Sequence, residues 1–144
     1  MTALPALQRT LAAEHAAVHV YGALGAQTSA SSTPELFAAV GAAYAQHRSR
    51  RDVLTRAITD LGATPVAAAP SYALPGKLGT PEAVTRVARK LEQGCAATYA
   101  YLVANSVGER RRWAVEALTN AAVRGLVFRG TPEMFPGADE FADR

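Results

Sequence analysis

Apolar positions recur along most of the chain at intervals of three and four, the period of a helix with one buried face. Four such stretches, separated by breaks rich in Ser, Pro and Gly, predict helices over about 4–26, 34–62, 80–106 and 109–129. In the first, Leu7, Leu11, Glu14, Val18 and Tyr21 fall on one stripe. In the second the stripe is Phe37, Val40, Tyr44, His47, Arg51, Leu54, Ile58 and Leu61. In the third it is Val84, Ala88, Leu91, Cys95, Thr98 and Leu102, with Glu92 on its flank. The fourth is less clean, and its inner face is read as Trp113, Ala117, Asn120, Val123 and Val127.

The breaks carry matching punctuation. Thr-Pro-Glu occurs at 33–35, 80–82 and 131–133. Threonine can cap orphan amides, proline suits the first helical position, and glutamate suits the positive end of the dipole. Gly62 and Gly130 follow periodic runs and precede Pro65 and Pro132, which marks helix ends. Short connections join helices one to two and three to four, so each pair is expected to be an antiparallel hairpin. Residues 63–79 form a longer linker. Seventeen extended residues reach about 55 Å, whereas a helix of this length spans about 40 Å. The linker can therefore run the length of the bundle. The expected fold is all-α: a ferritin-like four-helix bundle, two antiparallel hairpins joined by a long crossover, in one domain spanning 1–144 with a short tail at 131–144.

Composition supports this and narrows the chemistry. The chain is rich in alanine and 7% aromatic. A net charge of +3, with the basic residues dispersed, is too sparse for a nucleic-acid face. Cys95 is alone, which excludes an intramolecular disulfide and a zinc site built from cysteines. No apolar run approaches a membrane span and the start of the chain lacks a signal-peptide pattern, so the cytoplasm is the expected location. No phosphate-binding glycine loop or nucleophile elbow is present.

Polar residues on apolar stripes carry the most information, because their burial is costly unless they are partnered. Counted from the two hairpin turns, Glu14, His47 and Glu92 fall at one level, each near the middle of its helix. Two readings follow. In one, these three hold a single iron or manganese ion, with Tyr44 adjacent. In the other they belong to a buried polar layer with Tyr44, Arg51, Asn120 and Arg124, in which ion pairs Glu14–Arg51 and Glu92–Arg124 fix helix register. A two-metal carboxylate centre wants a Glu on each of two helices and Glu-x-x-His on each of the other two. Helix two instead reads Tyr44-Ala45-Gln46-His47, and helix four offers Glu116-Ala117-Leu118-Thr119, which lacks the histidine and lies about 11 Å from the required height. The set is degenerate. His15 and His19 share a different helix face and read as surface or interface residues rather than metal ligands. Cys95 reads as a small buried hydrophobe, and Arg110–Arg112 as a solvated face.

In order along the chain, EHAAVHVYG, AYAQHRSRRDVL, ATPVAAAPSYALP, LEQGCAATYAYLV, RRWAVEALTNAAVRGLVFRG and a closing FPG resemble an actinobacterial ferritin-like domain of unknown function, alanine-rich and about 140 residues long. The resemblance covers nearly the whole chain. It implies a cytoplasmic four-helix bundle and leaves the chemistry open, because fold alone does not carry activity. The expected function is a non-catalytic structural or binding protein, most simply a homodimer using Ala13, Ala17, Val20 and Leu24 of helix one and Leu118, Ala122 and Leu126 of helix four, without nucleic-acid or membrane partners.

Overall fold

The computed structural model describes residues 3–128 and 134–138. Four helices account for most of them: α1 (Leu4–Gly25), α2 (Pro34–Asp60), α3 (Pro81–Ala104) and α4 (Gly108–Val127). Their ends lie within two residues of those the pattern predicts. Thr80 caps α3 as its sequence suggests, its hydroxyl accepting from the Ala83 amide at 3.2 Å. Thr33 does not cap α2; its hydroxyl donates to the Ser29 carbonyl and accepts from the Ser29 amide, closing the loop instead. The third Thr-Pro-Glu and Gly130 lie outside the described residues. At the end of α2, Gly62 takes φ +74°. The Ala63 and Gly62 amides bond back to the Ile58 and Thr59 carbonyls, a Schellman stop that needs a residue free to be left-handed.

Two apolar clusters fix the helix directions. Ala3, Leu7 and Leu11 of the α1 end meet Leu54 and Ile58 of α2, Leu102 of α3 and Ala114 of α4. At the far end Val20, Tyr21 and Leu24 meet Val40 and Ala43, Val84 and Ala88, and Phe128. So α1 and α4 point one way, and α2 and α3 the other. The 63–79 segment must connect opposite ends of the bundle, and it lies along α1. Gln8 donates to the Thr64 carbonyl at 2.7 Å and accepts from the Val66 amide at 2.8 Å. His15 Nε2 lies 3.0 Å from the Val66 carbonyl, and the His19 ring packs against Tyr72. The two histidines therefore anchor the linker. Gln8→Ala should remove about 1 kcal/mol and speed amide exchange at Val66, measurable by hydrogen–deuterium exchange.

The inner faces differ from the sequence expectation in one systematic way. The buried positions of α1 are 6, 7, 10, 11, 14, 17, 20, 21 and 24, and those of α2 are 40, 43, 47, 50, 54 and 58. On α4 they are Ala114, Ala117 and Ala121. Phe37 of α2 and Leu61 just past its end are exposed, as are Asn120, Val123 and Val127 of α4. Ala17, Val20 and Leu24, expected on a dimer face, are buried in the chain's own core because the inner stripe of α1 is broader than one residue per turn.

The 134–138 segment touches α3. Gly137 has φ +85°, and a Cβ there would sit 2.6 Å from the Ala96 carbonyl oxygen. Gly137→Ala should cost about 1–3 kcal/mol in backbone strain, or release the segment, which limited proteolysis around Phe135 would report. Among the described residues, no helix is long and apolar enough to cross a membrane.

Candidate functional site

Between the two apolar clusters lies a layer of polar side chains. Glu14 projects from α1, His47 and Arg50 from α2, Glu92 from α3 and Arg124 from α4. The first four are buried, and the Arg124 side chain is 15% exposed. His47 is the hinge of the layer. Its Nδ1 is 2.6 Å from Glu14 Oε2 and its Nε2 is 3.0 Å from Glu92 Oε1. The imidazole thus bridges two carboxylates, one through each nitrogen. Tyr21 donates its hydroxyl to the same Glu92 oxygen at 2.6 Å and stacks on the His47 ring. Arg124 lies 3.5 Å from that oxygen. Arg50 reaches the Tyr99 hydroxyl at 3.4 Å and lies over the Tyr99 ring.

The electrostatics follow from this arrangement. Burial alone would push the His47 pKa down, but the hydrogen bonds and charges of Glu14 and Glu92 outweigh it, and the net shift is upward. Burial would raise the Glu92 pKa, yet His47, Arg124 and Tyr21 together hold it below the ordinary value. The Arg50 pKa is lowered, chiefly by burial, with Glu14 opposing. The Tyr21 hydroxyl is pushed up by burial and then by Glu92, so it stays protonated and donates. The Cys95 thiol is also pushed up, by burial and by both carboxylates.

Glu14, His47 and Glu92 are thus brought together, and Arg124 meets Glu92 as the helix heights require. Three members of the expected layer are elsewhere. Arg51 is half-exposed and pairs with its neighbour Asp52 at 2.8 Å; Arg50 takes the buried place. Both arginines lie within a turn of His47, so helical spacing alone does not choose between them. Asn120 is exposed and bonds back to the Glu116 carbonyl, because Ala117 and Ala121 face inward. Tyr44 is half-buried with the Arg48 guanidinium over its ring; Ala43, one position earlier, takes the inner place. Tyr21 was legible as an inward residue, but its bond to Glu92 was not. Arg50 and Tyr99 were missed as a pair.

The donor set does not fit a two-metal carboxylate centre. Glu14 and Glu92 reach opposite nitrogens of one ring, and α4 presents Arg124 rather than a ligand. Among the described residues, the potential ligands whose donor atoms lie within 4.8 Å of one another are Glu14, His47 and Cys95. Cys95, read from the sequence as a small hydrophobe, is indeed buried, but it faces this layer's charges.

The fold and sequence place the chain in a family of helical domains. Residues 6–140 match the family described as Domain of unknown function (DUF4439), and the chain belongs to it. It is similar to the crystal structure of the conserved hypothetical protein rv2844 from Mycobacterium tuberculosis, at 30% sequence identity, covering 87% of this chain and 92% of that one, with a TM-score of 0.79. No curated protein matches.

Proposed function

We propose that this is a ferritin-like bundle working as a non-catalytic structural or binding protein, whose central layer is a degenerate form of a metal centre. Helices running up, down, down and up, with a long connection between the second and third, support the ferritin-like assignment. The observation that carries the functional reading is the double engagement of His47. Both of its nitrogens face carboxylates, while two guanidinium groups supply positive charge beside those carboxylates. Such a layer fixes helix register and is poorly suited to holding two redox-active ions. The test is elemental analysis of protein purified without chelators, together with an iron-oxidation assay. The expected outcome is no paired iron or manganese and no oxidation of ferrous iron. Two stoichiometric equivalents of metal, lost in His47→Ala, would overturn the reading.

A homodimer in the cytoplasm remains the expected assembly. The residues of α4 that face outward support it: Leu126 with its exposed neighbours Val115 and Val123, flanked by half-buried Leu118 and Ala122. Multi-angle light scattering at micromolar concentration should give twice the chain mass, and a monomer would remove the claim.

A further inference from the structure

We propose that Glu14, His47 and Cys95 form a site for one divalent cation of borderline softness, of the zinc class. The inference deepens the reading of the central layer as a binding site by naming its ligand.

Three observations converge. The donor atoms of these side chains lie within 4.8 Å of one another, and all three residues are buried. Ligands sharing a zinc-like ion sit about 2.0–2.3 Å from it, so the donors need move by only about an ångström. Glu14 Oε1 is buried without a hydrogen-bond partner, although Oε2 of the same carboxylate is engaged. That free oxygen is a ligand without a bond to break.

The third observation is the far side of the ring. A metal-bound imidazole usually donates its other N–H to a carboxylate, which fixes the tautomer and raises the basicity of the ligating nitrogen. With the cation on Nδ1, His47 Nε2 donates to Glu92 Oε1, the contact already made at 3.0 Å. Glu92 is in turn held by the Tyr21 hydroxyl and by Arg124. Glu92 is therefore a positioning residue and Cys95 the third ligand, which reverses the assignment that residue heights alone suggest.

Charge allows the exchange. The layer holds two carboxylates, two guanidinium groups and an imidazolium, a surplus of one positive charge. On binding, the Cys95 thiol proton and the proton between Glu14 and His47 Nδ1 leave to solvent. The divalent cation and the thiolate then restore the same net charge. A thiolate, an imidazole and one carboxylate select zinc, cobalt and similar ions over magnesium, calcium and manganese, which prefer oxygen.

Cobalt(II) reports the ligand set directly. Chelator-treated full-length protein is titrated with Co²⁺ and then with Zn²⁺. The expected result is one equivalent of Co²⁺ bound, with near-ultraviolet sulfur-to-cobalt charge transfer that Zn²⁺ abolishes and Mg²⁺ and Mn²⁺ leave. In Cys95→Ala that absorption should vanish and affinity fall about 100-fold or more, beyond the 10–100-fold typical of losing an outer partner. Alanine suits this position, because Ala17, Ala96, Ala117 and Ala121 share its cluster. Glu92→Gln should keep the absorption while losing about 10–100-fold in affinity. Absence of the charge-transfer band in the wild type, or an unchanged titration in Cys95→Ala, overturns the proposal. Either result leaves the non-catalytic reading standing, since that one fails on paired metal or iron oxidation instead.

Discussion

Replacing His47 by alanine is expected to destabilise the protein by about 3–5 kcal/mol, as breaking a buried ion pair from one side does. The cause is less the cavity than the charges left behind. Glu14 and Glu92 each have one oxygen on His47, and each has a second oxygen without a hydrogen-bond partner. Removing the imidazole takes the only hydrogen bond described for the Glu14 carboxylate and leaves Glu92 to Tyr21 and Arg124. At about 2–4 °C per kcal/mol for a chain near this size, the midpoint should fall by about 6–20 °C. A double-mutant cycle separates the charge effect from the packing loss. Glu14→Gln should be costly in the wild type and close to neutral in His47→Ala, giving a coupling of about 0.5–3 kcal/mol. Urea denaturation of the four proteins at one pH measures this. Additive losses would mean that His47 acts only by filling space.

Stability should also depend on pH in a way set by two groups. The His47 pKa is raised above its ordinary 6.5. Above pH 6.5 the unfolded chain has released this proton while the native chain keeps it, so stability falls as pH rises. The contribution is fully present below 6.5 and is lost as pH passes through the raised native value. Glu92 behaves oppositely. Its pKa is lowered from 4.5, so its contribution is present above 4.5 and is lost as pH falls through the native value. A stability plateau is therefore expected between about pH 4.5 and 6.5, with declines on both sides. In His47→Ala the alkaline decline should largely disappear, and the acid limb should shrink as well, because His47 is the main group holding the Glu92 pKa down. Chemical denaturation across pH 3–9 reads both limbs. An alkaline limb equally steep in the variant would assign it to other groups.

The four helices and the level shared by Glu14, His47 and Glu92 were legible in the sequence, because they depend on spacing and end signals. What the sequence blurred was rotation about each helix axis. On α2, Val40, His47 and Leu54 can be joined by Tyr44 and Arg51, four residues on, or by Ala43 and Arg50, three residues on, and both stripes alternate three and four. The folded chain takes the second, burying Ala43 and Arg50 and leaving Phe37 and Leu61 exposed. The two stripes share a period and differ only by a rotation about the helix axis, which exchanges Arg51 for Arg50. On α4 the error has a second cause. Its seam is Ala114, Ala117 and Ala121, so the inward face is less hydrophobic than the exposed Val115, Val123 and Val127. Small residues mark close approach between helices, and hydrophobicity alone misses them.

The same limit explains the site. Heights along the helices brought Glu14, His47 and Glu92 to one level, but a level does not say which atoms meet. That Glu14 and Glu92 take opposite nitrogens of one ring follows from helix rotations, and so does the turn of Cys95 toward Glu14 and His47. His15 and His19 were correctly set apart from this layer, yet their role needed the path of the linker.

The state of the His47 ring tests the central claim most directly. In chelator-treated, ¹⁵N-labelled protein at neutral pH, long-range ¹H–¹⁵N correlation spectra should show protons on both Nδ1 and Nε2, an imidazolium held between Glu14 and Glu92. A neutral ring with one bare nitrogen would contradict the charge balance on which this account of the layer rests.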